Sequence, residues 1–464
     1  MTIELIGIIA IAVGLASLFF EPPFIVYVFL SSTLLGAAAA FTLPSLGGTN
    51  IPPAHLLIGF LAIKLVSTNA FSRRVTDGLA AENPGFWLLI TLIYSLATAY
   101  LLPRIFAGQT FVFPARTIGY TLPLEPAMSN VTQSIYLIAD FICFILLYTY
   151  AGTIEGKRTL GNAALVCAAL NLMFAAVDLL TYFTGTTELL SFIRNANYGL
   201  LNETELAGLK RITGSFTEAS SFGAATLGYF AFTIKLWLSG IRPRLTFILT
   251  GLSLFALLYS TSTTAYVGLA VFLAVIYLQT VVNALRRPIN TQTLLFIAGV
   301  PIFLPILIIV IAMNDSTSSY IKDLLDTLVL NKMSTDSGIE RSSWNSQAMQ
   351  NFFDTFGFGV GNGSVRASSY PISVLASLGI VGALTITLFL ISVFFDRGRT
   401  NLSNSKFDIY RQAAKYTCLA WLITSLASGA LVDLGLPFFV FAALACSRSI
   451  APAASQDIRA LVRT

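Results

Sequence analysis

Apolar residues run in long stretches along this chain, interrupted by Pro, Gly and charge at roughly the spacing a helix needs to cross a bilayer. About 20 consecutive apolar residues span the hydrocarbon. Runs of that order lie near 3–20, 24–42, 53–69, 85–102, 133–150, 160–184, 218–239, 245–260, 264–283, 292–313, 371–395, 412–428 and 433–447. The pattern predicts an all-α polytopic integral membrane protein of about 12–13 transmembrane helices, forming a single membrane domain over residues 1–464. The alternation of a membrane barrel is absent. The first two runs are split only by Glu21-Pro22-Pro23. They read either as two spans or as one span and a re-entrant segment, which would move the N-terminus to the other side.

Short loops holding Arg73/Arg74, Lys157/Arg158, Arg242/Arg244, Arg286/Arg287 and Arg397 to Arg411 alternate onto one face, with the tail carrying Arg448, Arg459 and Arg463. The positive-inside rule makes that face cytoplasmic. Segments 103–132, 185–217 and 314–370 then fall outside, the last as a large loop inserted between spans. Inside it, Ile321, Leu324, Leu325, Leu328 and Val329 keep helical spacing and predict an amphipathic helix. A second helix is expected from Gly338 to Phe353, capped by Ser337, with Trp344, Ala348 and Phe352 on one face. Gly357, Gly359, Gly361 and Gly363 should end it in a flexible turn. A short surface helix is expected within 196–211, and no internal repeat is visible.

Composition agrees with this reading. Apolar residues make up 56% of the chain and charged residues 11%, against roughly 45–50% and 25% in soluble domains. The net charge of +5 is scattered over short loops, so it speaks for orientation and against nucleic acid. Cys143, Cys167, Cys418 and Cys446 all sit in apolar runs without metal-ligand spacing and read as small buried hydrophobes. The first run lacks a basic leader and a small-residue cleavage site, so it reads as a retained span.

Polar chemistry gathers in two places, Arg211-Ile-Thr-Gly-Ser-Phe-Thr-Glu218 and Glu340-Arg341-Ser-Ser-Trp344, the latter followed by the Gly-rich stretch. Arg211 and Lys210 precede a helix N-terminus, a setting that suits a phosphate or diphosphate. Arg341 repeats the arrangement, and Arg366 follows the glycines. The alternative for each arginine is an ordinary pairing with a carboxylate or a lipid phosphate. Ser215-x-x-Glu218 and Ser337-x-x-Glu340 both fit a capping box, in which the Glu does no chemistry. Glu218 reads alternatively as a general base for a sugar hydroxyl, and Asp354 is a further candidate. The single histidine, His55, has no companions for a metal site and reads as a helix-end residue. Ser260-Thr-Ser-Thr-Thr264 forms a turn whose hydroxyls satisfy helix ends or bind a sugar. Asp140 and Asp178 could pair with arginines, and Asp433 falls at an external turn. Nucleotide-binding glycine patterns are absent.

The order and placement of these motifs resemble the O-antigen ligase and Wzy-type polysaccharide polymerase superfamily of bacterial inner-membrane proteins. The resemblance rests on Arg211-x-x-Gly214-x-Phe216-x-Glu218, the 260–264 turn, Glu340-Arg341-x-x-Trp344, Phe356-Gly-x-Gly-x-Gly361 and Ser377-Leu-Gly379-Ile-Val-Gly382, and it covers roughly residues 135–395. It implies a GT-C-like fold with its active site facing the periplasm. The implied reaction moves glycan from an undecaprenyl-diphosphate-linked oligosaccharide to an acceptor hydroxyl, with no cofactor and no metal. Arg211, Arg341 and Glu218 would form the catalytic set, and Lys210, Arg366, Glu340 and Trp344 would bind substrate. Membrane lipids, a flippase and a chain-length regulator are the implied partners. Ligases of this superfamily carry a late histidine in the large loop, where this chain has Arg366-Ala-Ser-Ser-Tyr-Pro371. That departure favours a polymerase for O-antigen, capsule or exopolysaccharide over a ligase acting on lipid A core or protein. A flippase or transporter of the lipid-linked glycan is the reading without chemistry. Scarce ionisable residues at span centres weigh against it.

Overall fold

A computed structural model describes residues 2–44, 48–67, 71–114, 119–197, 201, 205–206, 209–286, 288–313, 335–395 and 406–447, with 319, 322 and 326 in addition. The helices are α1 (Leu5–Ser17), α2 (Pro22–Ser32), α3 (Pro53–Val66), α4 (Phe71–Gly78), α5 (Pro84–Ile105), α6 (Met128–Ala151), α7 (Ile154–Phe183) and α8 (Ala219–Leu238). They continue as α9 (Pro243–Tyr259), α10 (Thr263–Ala284), α11 (Thr291–Ala312), α12 (Asp336–Asp354), α13 (Tyr370–Phe394), α14 (Lys406–Ser428) and α15 (Leu436–Cys446). Strands are minor: β1 (Thr2–Ile3), β2 (Phe41–Leu43) and β3 (Thr49–Ile51) form an antiparallel patch, and β4 (Phe111–Val112) pairs β5 (Leu122–Pro123).

Long apolar helices identify a multi-pass membrane protein. Among the described residues α5, α6, α7, α10 and α13 are long and apolar enough to cross a bilayer, and α3 with α4 adds a sixth if they make one bent span. Among the described residues the remaining apolar runs of the expected 12–13 do not reach full span length as single apolar helices. α1, α2, α9 and α15 contain only 13, 11, 17 and 11 residues, short of the roughly 20 a span requires. α1 ends at Ser17, and Pro22 and Pro23 open α2, because proline fits the first turn of a helix. Beyond α2 the chain leaves helix while still apolar, with Ala37, Ala38, Ala39 and Ala40 wholly buried. Its backbone is satisfied by a distant loop: Ala37 donates to the Ser215 carbonyl at 3.0 Å, Ala39 donates to Asn195 Oδ1 at 2.8 Å, and Ala196 donates to the Ala37 carbonyl at 3.1 Å. Irregular backbone at this depth survives only when protein supplies its partners.

The core is built around α15. All of Leu436 to Cys446 except Pro437 are buried, packed by α6, α13 and α14. A helix apolar all round belongs inside a protein, and at about 16 Å this one is half a span.

The glycines after α12 form a packed strap instead of the expected flexible turn. Val360 and Gly361 donate to the carbonyls of Ala376 and Ser377 at 2.8 and 2.9 Å, beside a break in α13 at Gly379 (φ 63°, ψ −161°). Gly359 (φ 84°) and Gly379 face each other so closely that a Cβ on Gly379 would lie 2.2 Å from the Gly357 carbonyl oxygen. Positive φ and backbone contact together admit only glycine here. The predicted amphipathic helix at 321–329 and the basic tail lie outside the described residues.

Candidate active site

The Arg211 loop is anchored from beneath by a buried carboxylate. Asp178, in α7, is 0% exposed. It accepts from Arg194 Nη2 at 2.7 Å, from the backbone N–H groups of Thr213 and Gly214 at 2.8 and 3.0 Å, and from Thr213 Oγ1 at 3.2 Å. Lys210 Nζ lies 3.6 Å from the same carboxylate and donates to the Arg211 carbonyl at 2.8 Å. The residues before this loop are paired strand, Glu205–Leu206 against Leu209–Lys210, where a helix was expected. Extended backbone sends neighbouring side chains to opposite sides. Lys210 therefore points into the bundle, and the expected convergence of Lys210 with Arg211 on one anion is not seen. Asp178 does take an arginine, but it is Arg194, which sequence reasoning did not single out; its signal was the lone carboxylate inside an apolar run.

Arg211 emerges on the other side, within electrostatic reach of Glu218 and Arg341. Arg366 is within reach of Glu340, Glu218 and Arg341. Loops far apart in sequence thus bring three guanidiniums together, and none of the three is ion-paired among the described residues. Nε of Arg211 and Nε of Arg366 are buried without hydrogen-bond partners. Burial pushes both groups below the ordinary arginine value, nearby carboxylates oppose that, and Arg341 adds to it. Arginine stays charged in proteins, so three positive charges gather here, with Glu218 and Glu340 as the carboxylates within reach.

Trp344, expected to touch substrate, is buried and carries the Arg366 guanidinium 3.9 Å above its ring. Arg341 reaches α14, donating to the Ala427 carbonyl at 3.3 Å. The cap of α12 is Thr335, whose Oγ1 accepts from Gly338 N–H at 3.3 Å. The expected Ser337 cap and its capping box with Glu340 are therefore not formed, because the helix starts at Asp336, two residues earlier than the expected Gly338. The Ser215 to Glu218 capping box is likewise absent. Ser215 Oγ donates to the Leu34 carbonyl at 2.7 Å, Glu218 itself occupies the N-cap position of α8, and its side chain accepts from Ser220 Oγ.

A cavity of about 370 Å³ opens beside these groups. Glu218 and Asp433 are its two carboxylates, hydroxyls come from Ser220, Ser221, Ser425 and Ser428, and Trp421 and Tyr229 supply apolar wall. The C-terminal end of α14 and the N-terminal ends of α8 and α15 frame it. The α13 entry is tied to the same place through Ser373 Oγ, which donates to the Ala430 carbonyl at 3.1 Å, and Ala367 N–H, which donates to it at 3.2 Å.

Other candidates lie elsewhere. Asp354 accepts from Thr110 at 2.5 Å and from Gln350 at 2.6 Å, and it is 13 residues beyond Arg341 on α12, about 20 Å along the helix. His55 packs its ring 4.9 Å from that of Tyr136. In the 260–264 turn Ser260 bonds the Leu257 carbonyl at 2.7 Å, while Thr261 (φ 47°) and Ser262 keep buried hydroxyls without partners. Among the described residues no group of three His, Cys, Asp or Glu side chains is placed to hold a metal ion. Asp433 is the site residue that the sequence left as a turn, and its cavity position is visible only once α14 and α15 are packed.

The arrangement can neutralise a multiply charged anion at the rim, hydrogen-bond a polyhydroxylated ligand inside, and accept a proton. No protein-family model matches the chain, and no curated protein matches it.

Proposed function

We propose that this protein is a periplasmic-side glycosyltransferase of the bacterial inner membrane, polymerising undecaprenyl-diphosphate-linked oligosaccharide units into O-antigen, capsule or exopolysaccharide. The observation that carries the reading is the set of three guanidiniums, none of them ion-paired among the described residues, near a hydroxyl-lined cavity holding two carboxylates. A diphosphate brings negative charge that Arg211, Arg341 and Arg366 can bind without an ion-pair partner to displace among the described residues. As the glycosidic bond to the diphosphate breaks, negative charge grows on the leaving oxygen, and preorganised guanidiniums stabilise that change more than they stabilise the bound donor. Trp344 holds the Arg366 plane, so little ordering is required when the donor arrives. The serines of the cavity suit the acceptor sugar. The hydroxyl proton passes to one of the two carboxylates, Glu218 or Asp433.

The test is purified protein in nanodiscs with the lipid-linked repeat unit alone. A ladder of lengthening glycans is expected, and it must vanish in Arg211→Ala and Arg341→Ala proteins that remain inserted and folded. Unchanged ladders in both variants would overturn the site. Absence of a ladder, with glycan moved across sealed vesicles, would establish the flippase reading instead, and transfer to lipid A core or protein would establish the ligase reading.

A further inference from the structure

The cavity beside Glu218 is a well whose wall changes character with depth. One face of α8 supplies Ser221, Ala225 and Tyr229, and one face of α14 supplies Trp421, Ser425 and Ser428, each set at helical spacing. The serines stand where α8 starts and α14 stops. That end also carries a guanidinium, since Arg341 donates to the Ala427 carbonyl at 3.3 Å. Tyr229 lies about 12 Å along α8 from Ser221, and Trp421 about 10 Å along α14 from Ser428, so the two rings form the floor. Beyond Tyr229, the space bounded by Leu30, Cys167 and Phe441 is too narrow for water.

The indole of Trp421 is held at two opposite edges. Its Nε1–H donates to the Leu434 carbonyl at 3.1 Å. Gly228 of α8 meets the other long edge so closely that a Cβ there would lie 2.8 Å from Cε3 and 3.0 Å from Cζ3. With both edges engaged, the ring offers a face to the cavity it lines. The polar wall is equally one-sided. Ser425 Oγ donates to the Leu422 carbonyl at 2.8 Å, Ser428 Oγ to the Thr424 carbonyl at 3.0 Å, and Ser220 Oγ to Glu218. These protons are committed within the protein, so the hydroxyls present lone pairs to a ligand. Glu218 and Asp433 add carboxylate oxygens, and no lysine or arginine is among the described lining residues.

A wall of acceptors fits a ligand rich in O–H donors and free of negative charge. Phosphate and carboxylate groups bring acceptors alone and belong with the guanidiniums outside the well. A hydrocarbon chain would leave the wall oxygens without partners. A pyranose has hydroxyls around its edge and a patch of C–H on its face, and that patch gains burial and dispersion on an indole. We propose that the well is a subsite for one uncharged sugar ring, stacked by its C–H face on Trp421 and donating its hydroxyls to Glu218, Asp433 and the serine oxygens, and that it refuses an acidic sugar. Assigning that ring to the acceptor unit rests on the glycan transfer proposed above; the binding and its charge preference do not. Gly228 is a positioning residue, acting through the indole.

The test is saturation-transfer NMR on the full chain in nanodiscs, irradiating aromatic protons. The probes are the methyl glycosides of glucose, galactose, mannose and N-acetylglucosamine, with those of glucuronic and galacturonic acid as acidic counterparts. At least one neutral glycoside should receive saturation on the C–H protons of one ring face, and the acidic ones none at neutral pH. W421L should abolish the signal, and W421F should keep part of it because a phenyl still offers a face. G228A should weaken binding roughly fivefold or more by displacing the indole; alanine is the better helix former, so the helix itself is not at risk. In ladder synthesis the same variants should raise KM for the repeat unit more than they lower kcat. Failure of every neutral glycoside to bind, equal binding of its acidic counterpart, or wild-type binding by W421L would each overturn the proposal. So would quenching of Trp421 fluorescence, read as wild type minus W421F, by lipids with brominated acyl chains, which would put a hydrocarbon chain in the well. A ladder unaffected by W421L and G228A would remove the subsite and leave the transfer. Binding as expected without any ladder would remove the transfer and leave the subsite.

Discussion

Asp178 offers the sharpest test of how the site is held. Its carboxylate faces Arg194 at 2.7 Å and Lys210 at 3.6 Å, both with side chains nearly closed to solvent at 6% and 1% exposure. Asp178→Asn preserves shape and removes the charge, leaving two buried cations without their counter-ion. Breaking a buried pair in this way costs about 3–5 kcal/mol. The amide also turns a donor toward a cluster of donors: with its oxygen kept on the Thr213 and Gly214 N–H groups, which share Oδ2, its NH2 faces Arg194, which loses its acceptor on Oδ1, at about 1–3 kcal/mol. These contributions overlap, and a loss of at least about 3 kcal/mol is expected. The assay is thermal unfolding in detergent at fixed lipid content, with limited proteolysis of the 205–217 loop as a local reporter. Replacing the whole cluster, as in D178L/R194M/K210M, removes every stranded charge and should recover much of the loss. If D178N unfolds within about 0.5 kcal/mol of wild type, the difference of an ordinary surface change, the carboxylate does not neutralise the cluster and the anchoring argument is wrong.

Three further outcomes are expected. Glu218→Gln keeps the bond from Ser220 and removes the charge beside Arg211 and Arg366, so ladders should persist at a reduced rate; their complete loss would move the base role to Glu218. Trp344→Leu removes a cation–π platform of roughly 0.5–2 kcal/mol and should raise KM for the donor more than it lowers kcat, whereas an unchanged KM would detach Arg366 from the donor. Gly379→Ala, at φ 63° and with backbone 2.2 Å from the new methyl, should destabilise by at least about 2 kcal/mol in thermal unfolding; a neutral result would contradict the packed strap.

The apolar runs announced helices wherever a run was long, as in α5, α6, α7, α10 and α13. They misjudged α1, α2 and α15, because apolarity alone does not separate a segment facing lipid from one facing protein. The two arginine motifs pointed to residues that the fold does gather. Lys210 was misplaced since its direction depends on strand geometry and on Asp178 of another helix. The Gly-rich stretch read as slack because glycine composition is the same for a mobile turn and for a backbone pressed against backbone.

The half-length helix α15 also bears on how the molecule is made. It follows in the chain the fourteen other described α-helices, and its eleven residues fill the centre that α6, α13 and α14 surround. Until it emerges from the ribosome, those helices enclose a space that lipid or an insertion chaperone must occupy. Its length does not qualify it for independent release into the bilayer. Of the described helices α15 therefore joins the bundle last and is held there by the protein itself, and the loop leading into it, bearing Asp433, closes the cavity wall in the same movement.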